Sequence, residues 1–131
     1  MRSLTMGKRK LVIVVDDDPS ILRAVQRVLQ LHGFETEVFN SVEDFLAGAH
    51  LREATCLVLD VHLRDKSGID LRRQLTRSGC SLPVIFITAV ESDITHKAAL
   101  EAGCVAYLNK PFPSELLIQA VETVIRNDRG H

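Results

Sequence analysis

The segment KLVIVVDDDP, Lys10 to Pro19, sets the architecture. Lys10–Val15, apolar without interruption from Leu11, is a Val/Ile/Leu-rich run of the kind that describes a strand covered on both faces, as in the interior of a parallel sheet. The run stops at three aspartates and a proline. That is the composition of a helix start, with an aspartate at the cap and proline at the first helical position. A buried strand feeding straight into a helix is the first half of a strand-helix-strand unit.

Working outward, Thr55–Leu59, Pro83–Ile87 and Cys104–Leu108 repeat the short apolar run, and Glu35–Phe39 is a weaker fifth strand. Ile21, Leu22, Val25, Val28, Leu29 and Leu31 recur at helical steps, and Gly33 stops that helix. Ser41 with Asp44 three residues on opens a short helix reaching Ala49. Gly68–Arg77, Ser92–Ala102 and Ser114–Arg126 read as further helices, the last with Leu117, Ala120, Val121 and Val124 on one face. Five strands alternating with five helices imply a parallel sheet wrapped on both sides, because each parallel connection requires a crossover. The expected class is α/β, doubly wound, with residues 10–126 as one domain between a polar, basic leader (1–9) and a polar tail (127–131).

Composition narrows the function. A chain of 131 residues is 46% hydrophobic and 25% charged, which suits one soluble core and excludes collagen-like, disordered and disulfide-scaffold classes. Sixteen Lys and Arg against seventeen Asp and Glu leave a formal charge of −1, so no basic field points to direct nucleic-acid binding or to an anionic membrane. The longest apolar runs are about five residues where a membrane span needs about twenty. Cys56, Cys80 and Cys104 are odd in number and lack CxxC spacing, so they read as buried thiols in a reducing compartment, and the expected location is the cytoplasm.

The polar residues fall in a telling place. Four of the five strand patterns run directly into a reactive side chain: Asp16-Asp17-Asp18, Asp60, Thr88 and Asn109-Lys110. In an open parallel sheet all those ends share one edge, where ligands bind at the switch point. Two carboxylates about 4 Å apart repel by about 4 kcal/mol at an effective dielectric of 20, so such a cluster needs a cation. All-oxygen ligands without paired histidines or cysteines favour Mg²⁺, which keeps positions for water and phosphate. Lys110 offers a compact charge for a phosphoryl oxygen and Thr88 a hydrogen bond. Each residue alone has a plainer reading: the acids as helix-dipole partners, the lysine as solvated, the threonine as strand, and Tyr107 as packing.

VVDDDP at Val14–Pro19, LVLD at Leu57–Asp60 followed by Ser67-Gly68, FITA at Phe86–Ala89 and YLNKPF at Tyr107–Phe112, all in order at strand ends, resemble the receiver domain of two-component response regulators. The resemblance covers about Lys10 to Arg126. It implies a flavodoxin-like (βα)5 three-layer sandwich with strand order 2-1-3-4-5. It also implies an Mg²⁺-dependent phosphoacceptor switch in which Asp60 accepts a phosphoryl group from a sensor histidine kinase or phosphotransfer protein. Asp16, Asp17, Asp60 and the backbone carbonyl of His62 would hold the metal, Lys110 would pair with the product, and Thr88 and Tyr107 would carry the switch. Lys110-Pro111 is expected cis. Partners would be a downstream effector protein or output domain, and a second copy through the face formed by Ser92–Ala102, Cys104–Leu108 and Ser114–Arg126.

Several departures and alternatives accompany that reading. Leu63-Arg64 stands where the family usually has Met-Pro, leaving the loop mobile or shaped by Arg64 and Asp65. Asp18 is assigned to the helix cap rather than the metal, and the His62 side chain to solvent. Ile118 and Ile125 flank the last helix's stripe and are either core edge or an exposed partner patch. A dehalogenase-type hydrolase would need a second acid two residues after the nucleophile, where His62 stands, so enzyme function is not expected. A flavin carrier would need a Gly/Ser/Thr-rich phosphate loop in place of three acids. A phosphorylation-independent, receiver-like interaction scaffold is the second reading.

Overall fold

The computed structural model describes residues 9–90 and 92–129. The expected leader, apart from Arg9, lies outside the described residues, as do the last two residues of the expected tail. The elements are β1 (Leu11–Val15), α1 (Pro19–Leu31), β2 (Glu35–Phe39), α2 (Val42–Gly48), a 3-10 turn (Leu51–Glu53), β3 (Ala54–Asp60), α3 (Gly68–Arg77), β4 (Val84–Thr88), α4 (Asp93–Glu101), β5 (Ala106–Asn109) and α5 (Ser114–Arg129). The strands form one parallel sheet in the order β2-β1-β3-β4-β5. This is the doubly wound, flavodoxin-like α/β fold.

Strand parity divides the core into two layers. Ile13, Val15, Leu57, Leu59 and Phe86 pack with Phe45, Leu71, Leu75 and Ala99 on the α2-α3-α4 side. Val12, Val14, Val58, Ile85 and Ile87 pack with Leu22, Val25, Leu29, Leu117 and Val121 on the α1-α5 side. β1 and β4 are buried along their whole length, whereas β2 and β5, at the sheet edges, are mostly half-buried. That difference explains why the middle strands read as unbroken apolar runs and Glu35–Phe39 does not.

Side-chain caps start four helices. Asp18, Ser41, Ser67 and Ser92 accept hydrogen bonds from the backbone N–H groups of Ser20, Asp44, Ile69 and Thr95 at 2.9, 3.0, 3.1 and 3.3 Å. α1 ends as the sequence implies, with Gly33 in the left-handed region at φ 89°.

Some boundaries and faces differ from expectation. Leu31 is 77% exposed rather than on the buried stripe, because it occupies the last turn of α1, beyond the sheet. β5 starts at Ala106, not Cys104, since the Cys104 N–H remains bonded to Ala99 O at the end of α4. β3 and β4 each extend one residue further, taking in Asp60 and Thr88. α5 runs on to Arg129, so the backbone is helical where the tail had been expected. The turn at Leu51–Glu53 had no sequence signal strong enough to predict it. Ile118 is buried and Ile125 packs against the α1-α5 layer, which leaves core edge as the reading of both. Among the described residues no helix is long and apolar enough to cross a membrane.

The cysteines divide as well. Cys56 is fully buried, but Cys80 and Cys104 are half-buried, which corrects the expectation that all three are interior. Burial pushes the Cys56 thiol up to about 12. Native protein treated with iodoacetamide at mildly alkaline pH is therefore expected to be alkylated at Cys80 and not at Cys56, which reacts only after denaturation. Peptide mass mapping reads the difference, and early Cys56 labelling would contradict the packing described.

Candidate functional site

The buried polar or charged residues among those described are Asp16, Asp60 and Thr88, at 0, 4 and 0% exposure. They stand together at the carboxyl edge of the sheet: Asp16 just after β1, Asp60 closing β3 and Thr88 closing β4. Lys110 follows β5, and its backbone N–H donates to Thr88 O at 2.7 Å, which sets the lysine against the end of β4. From there its ammonium lies 2.7 Å from Asp16 Oδ2 and 3.2 Å from Asp60 Oδ2. The other oxygen of each carboxylate accepts a backbone N–H, Asp18 to Asp16 at 2.9 Å and His62 to Asp60 at 3.0 Å. The peptide bond Lys110-Pro111 is cis.

Charge does not balance within this group. Asp17 is half-buried, and Asp16, Asp17 and Asp60 each offer an oxygen within 4.8 Å of the others. Against these three acids stands the half-buried Lys110, which meets Asp16 and Asp60. Arg64 reaches Asp17 at 3.7 Å, but its side chain is 86% exposed and such pairs contribute little. Burial raises the Asp16 carboxyl, Lys110 opposes the shift and Asp60 reinforces it, for a net upward displacement. Burial also pulls the Lys110 ammonium down, and the two carboxylates overcome it, so the lysine stays charged.

The donor set fits a divalent cation. Every donor is a hard oxygen, and Asp16 Oδ2, paired with the lysine at 2.7 Å, meets no further hydrogen-bond donor. Asp18 is exposed and spent on the α1 cap, apart from the acids that cluster. The His62 side chain is exposed.

The loop after Asp60 is held without the proline usual in such a loop. Leu63 is buried, His62 and Ser67 form an isolated antiparallel bridge, and the Asp65 carboxylate accepts the Val42 and Glu43 N–H groups at 3.4 and 3.2 Å. Lys66 bonds Gln74 on α3. Arg64 and Asp65 are the residues the sequence offers to shape this loop, whereas the capping of α2 by Asp65 spans 22 residues to Glu43 and no local pattern encodes it.

Thr88 and Tyr107 are on the α4 side of the site. The Thr88 hydroxyl accepts the Val90 N–H at 3.1 Å, so it is turned into the β4–α4 loop. Tyr107 is half-buried and stacks on His96 of α4, ring centroids 4.4 Å apart and 18° from parallel. His96 was missed, since nothing in the helical spacing of α4 announces a partner on β5.

An α/β sheet with an acidic, cation-ready crevice at its switch point defines the class of protein. Residues 12–122 match the family model described as response regulator receiver domain, and the chain belongs to that family, a class of signalling switches in bacterial two-component systems. Response regulator protein TodT of Pseudomonas putida is 31% identical over 119 residues, 91% of this chain and 52% of TodT. Nodulation protein W of Bradyrhizobium diazoefficiens is 34% identical over 121 residues, 92% of this chain and 53% of that protein. The beryllofluoride-activated receiver domain of DrrB, a Thermotoga maritima response regulator, has a TM-score of 0.82 at 32% identity, covering 91% of this chain and 99% of that one. The chain spans about half the length of the curated relatives it matches.

Gly68 tests the geometry around Asp60. A Cβ there would lie 2.2 Å from the Asp60 carbonyl oxygen, a backbone atom that cannot swing away. Alanine is the better helix former by about 1 kcal/mol, yet the overlap is expected to win and Gly68→Ala to destabilise the fold by about 1–3 kcal/mol. Urea denaturation measures it, and an unchanged midpoint would mean that the turn relaxes without resistance.

Proposed function

We propose that this receiver takes a phosphoryl group onto Asp60 from a phosphohistidine on a sensor kinase or phosphotransfer protein, and signals by a change of surface shape. The observation that carries the reading is the buried Asp60 carboxylate, held 3.2 Å from Lys110 and within 4.8 Å of two further acids. A carboxylate oxygen of Asp60 attacks phosphorus, the new O–P bond forms as the P–N bond breaks, and the imidazole leaves with the bonding pair. Asp16, Asp17, Asp60 and the backbone carbonyl of His62 would hold Mg²⁺. When bound, the ion offsets charge developing on the phosphoryl oxygens.

Lys110 pairs with the product and steadies the acyl phosphate. The modification adds about −1.5 to −2 charges, which draws the Thr88 hydroxyl away from Val90 and toward a phosphoryl oxygen. Tyr107 follows into the space behind it, and the α4-β5-α5 surface changes. Ile94, Leu100, Val105 and Leu116 on that surface are 82, 57, 51 and 44% exposed, which suits it to an effector, an output domain or a second copy of this chain. The domain promotes its own phosphorylation and dephosphorylation and has no further substrate. Its place of action is the cytoplasm, with no direct contact to nucleic acid.

Acetyl phosphate with Mg²⁺ is expected to add one phosphoryl group, seen in the intact mass, and Asp60→Asn to abolish it. Labelling that survives the substitution rejects the assignment. Mg²⁺ alone is expected to raise the thermal midpoint, the stabilisation reaching about 2.7 kcal/mol at a hundredfold excess over Kd. Asp17→Asn, at a half-buried position, should keep the fold and weaken that response; equal responses from both proteins would remove Asp17 from the metal site.

A further inference from the structure

We infer that His96 is a positioning residue for the Tyr107 switch, a ring clamp on α4 that holds the resting conformation and sets how readily the domain responds to phosphorylation. The inference rests on the proposed switching role of Tyr107 and adds a residue to it.

Tyr107 is packed on two sides. One side meets the α2-α3-α4 layer of the core, and the imidazole of His96 covers a ring face at 4.4 Å and 18°. The clamp itself is firmly based. The His96 N–H donates to Ser92 O at 2.9 Å, and the Ser92 hydroxyl caps the same first turn through the Thr95 N–H, so the backbone under the imidazole is fixed. Ser92, Asp93, His96, Tyr107 and Asn109 border an open cavity of about 370 Å³, so the stacked pair stands at its rim. His96 is exposed, and an exposed imidazole contributes little to folding except through what it covers.

The stack and the resting threonine belong to one arrangement. Tyr107 lies against His96 while the Thr88 hydroxyl accepts from the Val90 N–H. An interaction made in this arrangement and lost when Tyr107 moves stabilises the resting state, and so lowers the apparent affinity of any ligand that selects the other state. Removing the imidazole should raise that affinity about two- to tenfold, the range a stacked aromatic pair is worth.

The sequence supplies its own probe, because Tyr107 is the chain's single tyrosine and there is no tryptophan. Intrinsic tyrosine emission therefore reports Tyr107 alone. The experiment is a beryllofluoride titration in saturating Mg²⁺, followed by that emission, for the unmodified protein, His96→Ala and His96→Phe. The expected result is a titration midpoint about two- to tenfold lower for His96→Ala, with His96→Phe returned near the unmodified value because the phenyl ring restores the stack. An unmodified protein that binds beryllofluoride by calorimetry without any change in emission would show that Tyr107 is not the switch, and the failure would lie with the proposed function. If the emission does change but His96→Ala titrates at the unmodified midpoint or above it, the clamp is overturned and the switch stands. A His96→Phe protein that behaves like His96→Ala also overturns it.

Discussion

Lys110 faces a geometric difficulty that the whole carboxyl edge is arranged to solve. Neighbouring strands are about 4.8 Å apart, so the end of β5 is about 10 Å from that of β3 and about 14 Å from that of β1. A lysine side chain extends about 6 Å, which is too short to cover that span from its own strand. Lys110 stands one residue past the end of β5, its N–H bond to Thr88 O continuing the β4–β5 ladder, and beyond the strand its ammonium reaches both Asp60 and Asp16. Without that cation two buried carboxylates would face one another in a crevice of low dielectric, where an unpaired charge costs several kcal/mol. With it, the acids remain in excess, and the site stays ready for a second, divalent cation.

Such a site cannot be built on a pliable sheet. β1, β3 and β4 supply the buried residues that fix the edge, and their apolar runs are unbroken because helices cover both faces. The same property made them legible in the sequence, and it made Asp16, Asp60 and Thr88 conspicuous as the places where those runs stop. The β5 boundary was less legible, since Cys104 and Val105 are apolar yet the former is bonded to the end of α4. Leu31 fits the helical period of α1 but falls past the last turn that meets the sheet. Cys80 and Cys104 have the composition of core residues and sit at its rim. In each case periodicity describes which way a side chain points and not whether a neighbour is there to meet it.

The loop after Asp60 illustrates a second limit. Proline restricts a chain through its own φ angle, a local device that a sequence displays openly. Here Leu63-Arg64 lacks it, and the restraint comes instead from Asp65 capping α2, Lys66 bonding Gln74, and Leu63 entering the core. Gly68 completes the turn by letting α3 begin against the Asp60 carbonyl, where any side chain would collide. Residue identity announces the acids of the site far better than it announces what holds them still.

Strand parity decides where a change at this edge is felt. Phe86 and Thr88 point to the same face of β4, and in the β4–β5 register they lie beside Tyr107 and Asn109. Phe86 and Tyr107 both belong to the layer beneath α4, whereas Ile85, Ile87, Ala106 and Leu108 belong to the layer beneath α1 and α5. In the proposed switch, a displacement of Thr88 would be met by Tyr107 and then by His96, all on one side of the sheet, with the sheet itself between them and the α1-α5 layer. A slip of one residue in the pairing of β5 would send Tyr107 to the opposite face and separate the threonine from any route to α4. The half-buried edge strand, the weakest apolar pattern after β2, is thus the element whose register the proposed output would depend on most.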